Sequence, residues 1–328
     1  MPQHRDREGE RAATPLPHTA GAASPRVLIA VPTYRRAALL SALLPAILAD
    51  AATARARSRL LVVDNDPQRS ARSPALALGA EYLVEPVPGI AAARQAALDA
   101  AEPDELVVMI DDDLMPEPGW LAGLVQVWQL HRPTAVMGFV RYVWPPDTDP
   151  WIAAGGFMRR TRFPSGTVLS ALSTGNVLFD VASVRALGVR FDVGLGLSGG
   201  SDLEFGRVLL AAGGTIVAAA ESVARDDIAP ERATAAFVHR RAICQGQVRA
   251  QLMSRDALRS ARVAKRAGHL VGGILRVPTF VAGEALSRAR GDLAASAVYR
   301  RRRWFAQGRV LGALGLVTPE YARPTDTA

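Results

Sequence analysis

The sequence predicts an α/β fold with a mainly parallel sheet, because short apolar strands alternate with helices from Arg26 onward. Two of these strands, residues 27–31 and 60–63, end at turn signals, and a third, residues 106–110, ends at three consecutive aspartates. In such sheets ligands bind beyond the carboxyl ends of the strands. We therefore expect the functional site to lie where these three strands end.

The remaining elements follow in chain order. Helical spacing of apolar residues predicts helices near residues 39–48, 89–101 and 120–130, and a further strand is predicted near 135–140. Pro45 predicts a kink or an early end of the first helix. Residues 144–174 are rich in Trp, Pro and Gly and predict a long binding loop or lid. Residues 199–214 run from a glycine turn into a helix.

The chain divides by composition into three predicted parts. Residues 1–25 carry charges and prolines without an apolar segment, which predicts a disordered tail and no signal peptide. Residues 26–247 carry the α/β pattern, and residues 248–328 are helical and basic. Apolar residues make up 49% of the 328, which excludes a wholly disordered chain. A single cysteine, Cys244, excludes an intrachain disulfide framework and any cysteine-rich metal site.

The net charge of +8 is concentrated near the C-terminus, where residues 249–309 hold fourteen Lys and Arg against three acidic residues. Such a surface favours a polyanionic partner. Trp304 and Phe305 directly follow four consecutive arginines, which favours the surface of an anionic membrane, and a solvated basic face is the alternative. The absence of a nucleic-acid-binding signature means that no nucleic acid is expected. The segment 267–286 is interrupted by charged residues and a proline, so no membrane span is expected.

The strongest chemical signal is the run Asp111-Asp112-Asp113 at the end of a buried strand. Three adjacent carboxylates repel one another, and a site that gathers them usually holds a cation. Oxygen ligands of this kind suit Mg²⁺ or Mn²⁺, either of which bridges a diphosphate. A solvated acidic turn is the alternative interpretation.

Six segments, in order, resemble the family 2 glycosyltransferases of the GT-A fold, in particular the succinoglycan-type exopolysaccharide branch. The resemblance covers about residues 26–247. Its segments are VLIAVPTYRR at 27–36, VVDNDP at 62–67, GIAAARQAA at 89–97, IDDDLMPEPGWL at 110–121, the Gly175-Asn176 turn, and the turn and helix at 199–214. Arg35 stands where the family usually has Asn, and Ser201 stands where it often has Glu.

This resemblance implies a role for each matching residue. The donor, a nucleoside diphosphate sugar, would be contacted by Pro32, Thr33, Tyr34, Arg36, Asp64, Arg94, Asp111 and Asp112. Asp111 and Asp113 would hold the metal ion, and Asp202 would be the general base, with Glu204 as the second candidate. The acceptor would meet Gly175 and Asn176. Trp151, in the long loop, is predicted either to stack on an acceptor sugar or to pack internally.

The function implied is inverting transfer of a sugar to a hydroxyl of a glycan or lipid-linked acceptor. The metal would neutralise the leaving diphosphate, and a carboxylate would take the proton of the acceptor hydroxyl. A cytoplasmic location is expected for such an enzyme. The basic C-terminal region would attach the chain peripherally to the inner face of the membrane.

Two other functions remain open from the residues. A haloacid-dehalogenase-like phosphatase would use Asp111 as nucleophile and Asp113 as acid, but such an enzyme needs a lysine near the phosphoryl group and Lys265 is the only one. A catalytically inactive GT-A domain that binds glycan or lipid is the other alternative, because Ser201 departs from the family pattern beside the base.

Overall fold

The computed structural model describes residues 24–255, 259–316 and 318, so all but the last two residues of the predicted tail lie outside the described part. Within it, the strands form one mixed sheet. The strands are β1 (Arg26–Thr33), β2 (Arg57–Asp64), β3 (Glu81–Val84), β4 (Glu105–Ile110), β5 (Met115–Pro116), β6 (Ala135–Val143), β7 (Asn176–Asp180) and β8 (Ile216–Asp227).

Helices connect these strands and continue beyond them. They are α1 (Ala37–Thr53), α2 (Arg72–Ala77), α3 (Ile90–Asp99), α4 (Trp120–His131), α5 (Pro150–Ala154), α6 (Val181–Ala186), α7 (Ser201–Ala211), α8 (Ala235–Arg255), α9 (Arg259–Ala289) and α10 (Leu293–Ala313). Short 3₁₀ turns lie at Val193–Leu195 and Pro230–Arg232.

The strand order across the sheet is β3-β2-β1-β4-β7-β6-β8-β5. Four pairings are parallel: β1 with β2 and with β4, β2 with β3, and β6 with β8. The strand β7 runs antiparallel to both neighbours and joins the two parallel groups. The predicted α/β class and mainly parallel sheet are confirmed, and the antiparallel strand β7 is an addition to the prediction.

The sheet is buried on both faces because its central strands are apolar at nearly every position. Side chains alternate between faces along a strand, so Val27, Ile29 and Val31 pack in one core cluster and Leu28 and Ala30 in the other. The helices α1 and α4 cover the first face, and α3 and α7 cover the second. These layers hold the strand ends in fixed positions.

The predicted early end of the first helix is wrong, because α1 continues through Pro45 to Thr53. Proline removes one helical hydrogen bond. Leu43, Leu44 and Ile47, on both sides of the proline, are fully buried in the core. Their packing against the sheet stabilises the helix where local propensity would end it.

Three long helices form the C-terminal region, in which α10 packs against both α8 and α9. The helix α8 begins at Ala235 and continues to Arg255. The predicted boundary at residues 247–248 therefore falls inside a single helix, and the division of the chain there stays a prediction. A small apolar cluster, which includes Phe157, Met158 and Val238 with Trp304 packed against it, joins α10 to the long loop.

The helix α9 is unusual because its apolar residues lie outside. Its stretch Val263–Ala289 is long and apolar enough to cross a membrane by length and composition alone, and only 17% of its most apolar window is buried. The expectation that no segment spans a membrane stays a prediction. The interruptions at Arg276, Pro278 and Glu284 do not lower the mean hydropathy below that of a candidate span. We regard this one helix as weak support for membrane association.

Candidate active site

The carboxyl ends of β1, β2 and β4 meet at one edge of the sheet, as the sequence predicts. Thr33, at the end of β1, pairs in register with Asp64 at the end of β2. The strand β4 runs parallel to β1 on its other side, and Asp111 follows it directly. Residues that are far apart in the chain therefore share one edge of the sheet.

Asp112 is an internal anchor of this edge and not an open ligand. Its carboxylate accepts hydrogen bonds from Thr33 Oγ1 at 2.7 Å and from Arg36 Nη1 at 2.7 Å, and the residue is buried. Burial raises the pKa of Asp112 to about 6, against the opposing effect of the Arg36 charge. In the structure this side chain joins the turn after β4 to the end of β1. The expected donor contact by Asp112 stays a prediction.

Asp111 and Asp113 flank this anchor and remain partly open to solvent, with about a third and a quarter of each side chain exposed (33% and 27%). Asp111 Oδ1 accepts from Arg94 Nη2 at 2.9 Å. Asp113 Oδ2 lies 3.1 Å from Arg232 Nη1 and 3.6 Å from Arg36 Nη1. The accessible pair is therefore the two aspartates that the resemblance assigns to the metal.

A further carboxylate, Asp226 near the end of β8, belongs to the same site. From the sequence, Asp226-Asp227 is predicted to cap a helix, and lining of the acceptor site is the alternative. Arg232 Nη2 lies 3.5 Å from Asp226 Oδ2, so one guanidinium bridges Asp226 and Asp113. Asp226 is 3% exposed and its Oδ1 atom is buried without a hydrogen-bond partner. Burial raises the pKa of Asp226 to about 6, and the charges of Asp113 and Asp111 add to the effect of burial.

The strand-end rule that found Asp111 could also have found Asp226, because Asp226 ends an apolar strand. The apolar run of residues 216–220 was the available sequence signal. Arg232 carries no such signal. It reaches Asp113 from 119 positions along the chain, through the 3₁₀ turn after β8.

Arg94 connects the aspartate turn to the start of α7. Its guanidinium donates to Asp111 Oδ1, and its Nη1 atom lies 3.5 Å from Ser201 Oγ. Gly200 precedes the helix with a φ of 84°, a left-handed conformation that glycine adopts without strain. Asp202, next to Ser201, therefore starts its helix close to the Asp111–Asp113 turn.

The structure separates the two candidate bases. Glu204 is buried, and both of its oxygens are bound by Arg207, at 2.9 Å from Nε and 2.8 Å from Nη2. Asp202 is half-buried, and its one hydrogen bond within the described contacts is with the amide of Leu203, at 2.8 Å. Asp202 is therefore the carboxylate available to a substrate, while Glu204 is held as part of an ion pair.

Asp64 is not accessible, in contrast to its predicted contact with the donor. Its oxygens accept from the amides of Asp66 at 3.1 Å and Ala71 at 2.8 Å and from the Tyr82 hydroxyl at 2.7 Å. Its side chain has no exposed surface. The carboxylate stabilises the turn after β2. These contacts favour a structural role, and the assignment of Asp64 to the donor stays a prediction.

The internal hydrogen bonds of Asn176 favour a structural role, and its predicted contact with the acceptor stays a prediction. Its side chain accepts from Trp120 Nε1 at 2.8 Å and donates to the carbonyls of Phe139 at 3.1 Å and Ser222 at 3.2 Å. Gly175 does border the site, because a Cβ atom there would lie 2.7 Å from Asp111 Oδ2. The glycine leaves room for the Asp111 carboxylate, while Asn176 joins β7 to its neighbours.

Of the residues at the end of β1 and in the turn after it that are predicted to contact the donor, only some are accessible. Pro32 and Thr33 are buried, whereas Tyr34 is half-buried and Arg36 is exposed. Arg35 adopts a φ of 54°, stacks over Tyr34 at 5.2 Å and bonds Asp66 Oδ2 at 3.2 Å. Asparagine tolerates this left-handed conformation better than arginine, which explains in physical terms why the resembling family has Asn there.

Trp151 packs internally in the structure. Its ring meets Phe157 and Trp304 edge to face at 5.8 and 6.1 Å, and the Arg300 guanidinium covers it at 4.3 Å. These contacts favour the packing interpretation over stacking on an acceptor sugar.

The site's residues fit a hard divalent cation, although no closed metal site exists among the described residues. Asp111 and Asp113 offer carboxylate oxygens, and Asp226 adds an oxygen without a partner in the structure. Mg²⁺ and Mn²⁺ sites that serve nucleotides commonly take one or two carboxylates, with water and phosphate oxygens completing the set. An open, incomplete cluster is therefore the arrangement expected of such a site.

Comparison with known proteins identifies the family. The family model for glycosyl transferase family 2 matches residues 28–188. The chain is 31% identical over 235 residues to the succinoglycan biosynthesis protein ExoM of Rhizobium meliloti (strain 1021), covering 70% of this chain and 75% of that protein. The resemblance to the succinoglycan-type branch is thereby confirmed.

Solved structures show the same fold. The mannosyltransferase PcManGT from Pyrobaculum calidifontis, in complex with GDP-Man and Mn²⁺, matches with a TM-score of 0.57 and 20% identity over 89% of this chain and 86% of that chain. GalNAc-T7 with UDP, GalNAc and Mn²⁺ matches with a TM-score of 0.52 and 13% identity, over 72% of this chain and 52% of that chain.

These matches agree with the strand-end geometry and leave the phosphatase alternative without support. In that alternative Asp111 would be a nucleophile, whereas Arg94 pairs with it beside the helix of Asp202. The chain belongs to glycosyl transferase family 2, has the GT-A fold and is a glycosyltransferase.

Proposed function

We propose that the chain transfers a sugar from a nucleoside diphosphate donor to an acceptor hydroxyl, with inversion at the anomeric carbon and with Mg²⁺ or Mn²⁺ bound. The observation that carries the proposal is the bridge of Arg94 between Asp111 and Ser201. It brings the aspartate turn and the helix of Asp202 to one cleft. PcManGT, with GDP-Man and Mn²⁺ in its structure, supports the donor class and the metal by analogy.

Asp111 and Asp113 would hold the metal ion, and Asp226 is a third oxygen donor next to them. When bound, the ion neutralises the diphosphate leaving group as a Lewis acid. Arg36 and Arg232 lie within 4 Å of Asp113 and can turn toward phosphate oxygens once the carboxylate has another partner. Arg94 keeps Asp111 oriented from the opposite side.

Asp202 would act as the general base. An acceptor hydroxyl must lose its proton as it attacks the anomeric carbon, and a carboxylate within hydrogen-bond reach supplies that function. A base opposite the leaving diphosphate gives displacement in line and therefore inversion. Asp202 lies in the first turn of α7, where the helix dipole stabilises its negative charge. Asp202 is favoured over Glu204 for this role, because the ion pair with Arg207 occupies both oxygens of Glu204.

The experiment is donor turnover with water as the acceptor, followed by NMR of the released sugar. Inversion predicts that an α-linked donor first releases the β anomer. Release of the α anomer would contradict the inverting mechanism. Nucleotide binding without any turnover, even with candidate glycan acceptors added, would support the inactive-domain alternative instead.

The acceptor class and the location belong to the same proposal. The exposed face of α9 carries Val263, Val271, Ile274 and Leu275, all more than half exposed. The helix packs against α10 through the other side, where Gly273 contacts Val310 and Glu284 binds Arg300. An apolar face on a basic helix suits the surface of an anionic membrane, where lipid-linked acceptors reside.

Flotation with phosphatidylglycerol-containing vesicles tests this attachment at low and high salt. The wild-type chain is expected to float at low salt and less at high salt. The double variant Ile274→Glu/Leu275→Glu should stay at the bottom, while the matched control Leu76→Glu, on exposed α2, should float. No flotation of the wild type, or dimers by light scattering that this double variant disrupts, would contradict the membrane assignment.

A further inference from the structure

A cavity of about 280 Å³ lies beside the cleft, between the end of β6 and the loop that follows α5. Its wall includes Tyr142, Trp144, Met158, Arg159 and Arg160. The residue Gly156 also lines it and receives a hydrogen bond from Arg301 of α10. We call this cavity, together with Arg301, the arginine pocket.

Three arginines of the arginine pocket have no ion-paired carboxylate, whereas Arg141, which also lines it, pairs with Glu117. In the part of the chain that the structure describes, no carboxylate lies within ion-pair distance of Arg159, Arg160 or Arg301. The arginines around Asp111–Asp113 differ from these three, since Arg36, Arg94 and Arg232 each have an acidic partner.

The neighbouring charges add to this excess. Burial and the nearby charges of Arg302 and Arg159 lower the pKa of Arg301, as expected for cations gathered without a counter-ion. Arg159 is exposed, whereas Arg160 and Arg301 are partly buried. Guanidinium groups without a carboxylate partner are stabilised by an anion, and partial burial strengthens that attraction.

The arginine pocket adjoins the carboxylates of the cleft, because Tyr142 in its wall pairs in register with Asp226 of β8. Arg160 Nε donates to the Tyr142 hydroxyl at 3.1 Å. Burial opposes the charge of Arg160, and Tyr142, Asp202 and Asp111 nevertheless hold its pKa above the ordinary value. The attraction of Asp202 and Asp111 agrees with that position. An anion bound in the pocket would therefore lie beside the cleft.

We propose that the arginine pocket binds a phosphate or diphosphate group of the acceptor and so places the acceptor hydroxyl at Asp202. This inference rests on the proposed function, because it takes Asp202 as the base. Three guanidinium groups match a group of charge near −2, such as a phosphate, better than a single carboxylate. Trp144 offers an apolar wall to the part of the acceptor next to that phosphate.

The first experiment is calorimetric titration of inorganic pyrophosphate, with EDTA present so that no metal ion contributes. The wild-type chain is expected to bind. The double variant Arg159→Ala/Arg301→Ala should bind at least about tenfold more weakly, because each lost charge-assisted contact removes a substantial part of the affinity. Arg159→Lys/Arg301→Lys, which keeps the charge, should lose less and guards against a folding defect.

The matched control is Arg55→Ala. Arg55 is exposed, and it lies before the start of β2, at the opposite edge of the sheet from the site. Its replacement should leave pyrophosphate affinity unchanged. Farnesyl diphosphate and glucose 1-phosphate are titrated in parallel. Tighter binding of the first points to a lipid-linked phosphate, and tighter binding of the second points to a soluble phosphorylated sugar.

Three results would overturn the inference: no pyrophosphate binding by the wild type, equal binding by the double alanine variant, or an equal loss in its affinity for a nucleotide with Mn²⁺. The last result would place these arginines in the donor site. Failure of the proposed function is distinguishable, because it would appear as absent nucleotide binding in the wild type, with Mn²⁺ present and pyrophosphate binding intact.

Discussion

The ends of β2 and β4 carry the same sequence signal, an aspartate after a buried strand, and use it in opposite ways. At the end of β2, Asp64 has no exposed surface and accepts three hydrogen bonds from its own neighbourhood. At the end of β4, Asp111 and Asp113 are partly exposed, and each is paired with an arginine side chain. A carboxylate saturated by backbone amides stabilises the fold, whereas one paired with a movable cation can exchange that partner for a ligand.

The same difference separates the two acidic residues of α7. Glu204 is anchored by Arg207, and Asp202 is accessible. Accessible carboxylates should therefore be important for binding and catalysis with little effect on stability, and anchored carboxylates should show the reverse. The first three predictions below test this division, and the fourth concerns the neighbouring turn after β1; they run from the largest expected effect to the smallest.

Asp202→Asn should reduce sugar transfer by about 10²- to 10⁴-fold, because a general base is removed. Donor affinity should stay within about twofold of the wild type, since the metal and diphosphate contacts are intact. The measurement is initial transfer rate beside calorimetric donor binding. Glu204→Gln is the matched control and should keep most of the rate; an equal loss in both variants would break the division between the two residues.

Asp113→Asn should weaken nucleotide binding in the presence of Mn²⁺ by about 100-fold, because loss of a metal ligand exceeds the tenfold to hundredfold effect of losing an outer contact. The melting temperature should not fall, since the residue is partly exposed and its neighbours Arg36 and Arg232 are partly exposed as well. If the variant bound nucleotide with the affinity of the wild type, Asp113 would not be a ligand of the metal ion.

Asp64→Asn should lower the free energy of unfolding by about 3 kcal/mol, because a buried carboxylate loses charge-assisted hydrogen bonds and presents an amide to donors. Urea denaturation measures this change, with Asp113→Asn as the comparison. Nucleotide affinity of the folded variant should change little. If the variant had normal stability but did not bind nucleotide, Asp64 would be a residue of the donor site.

Arg35→Asn should change stability least. Relief of the left-handed strain favours the variant by about 1 kcal/mol, while loss of the partly exposed ion pair with Asp66 opposes it by about 0.5 kcal/mol. The net expectation is a slight rise in melting temperature. Arg35→Ala keeps the strain and loses the pair, so it should melt below the wild type. Equal melting temperatures for the two variants would show that the backbone strain is unimportant.

Much of this molecule could be predicted from its sequence, because strand ends in a parallel sheet bring distant residues to one edge. The alternation of strands and helices, the aspartate turn and the start of α7 follow from local patterns at Val107–Asp113 and 199–214. The pattern could not show which aspartates are buried. Asp64 and Asp111 differ only in the hydrogen bonds that folding brings to them.

The residues missed by the sequence analysis reach the site from irregular segments. Arg232 arrives through a 3₁₀ turn, and Arg160 arrives through the long loop. Neither lies in a periodic element, so no spacing marks it. The exposed face of α9 was visible as an apolar pattern, but its outward orientation depends on how α9 packs against α10. Tertiary packing decides such orientations.

The central claim is that Asp111 and Asp113 form a metal-dependent donor site beside Asp202. Calorimetric titration of UDP, GDP and dTDP into the purified chain, with Mn²⁺ and then with EDTA, tests it most directly. The account predicts that one of these nucleotides binds with Mn²⁺ present and that EDTA abolishes the binding. Binding of the same nucleotide with undiminished affinity in EDTA, or no binding of any of them to the folded chain with Mn²⁺, would contradict it.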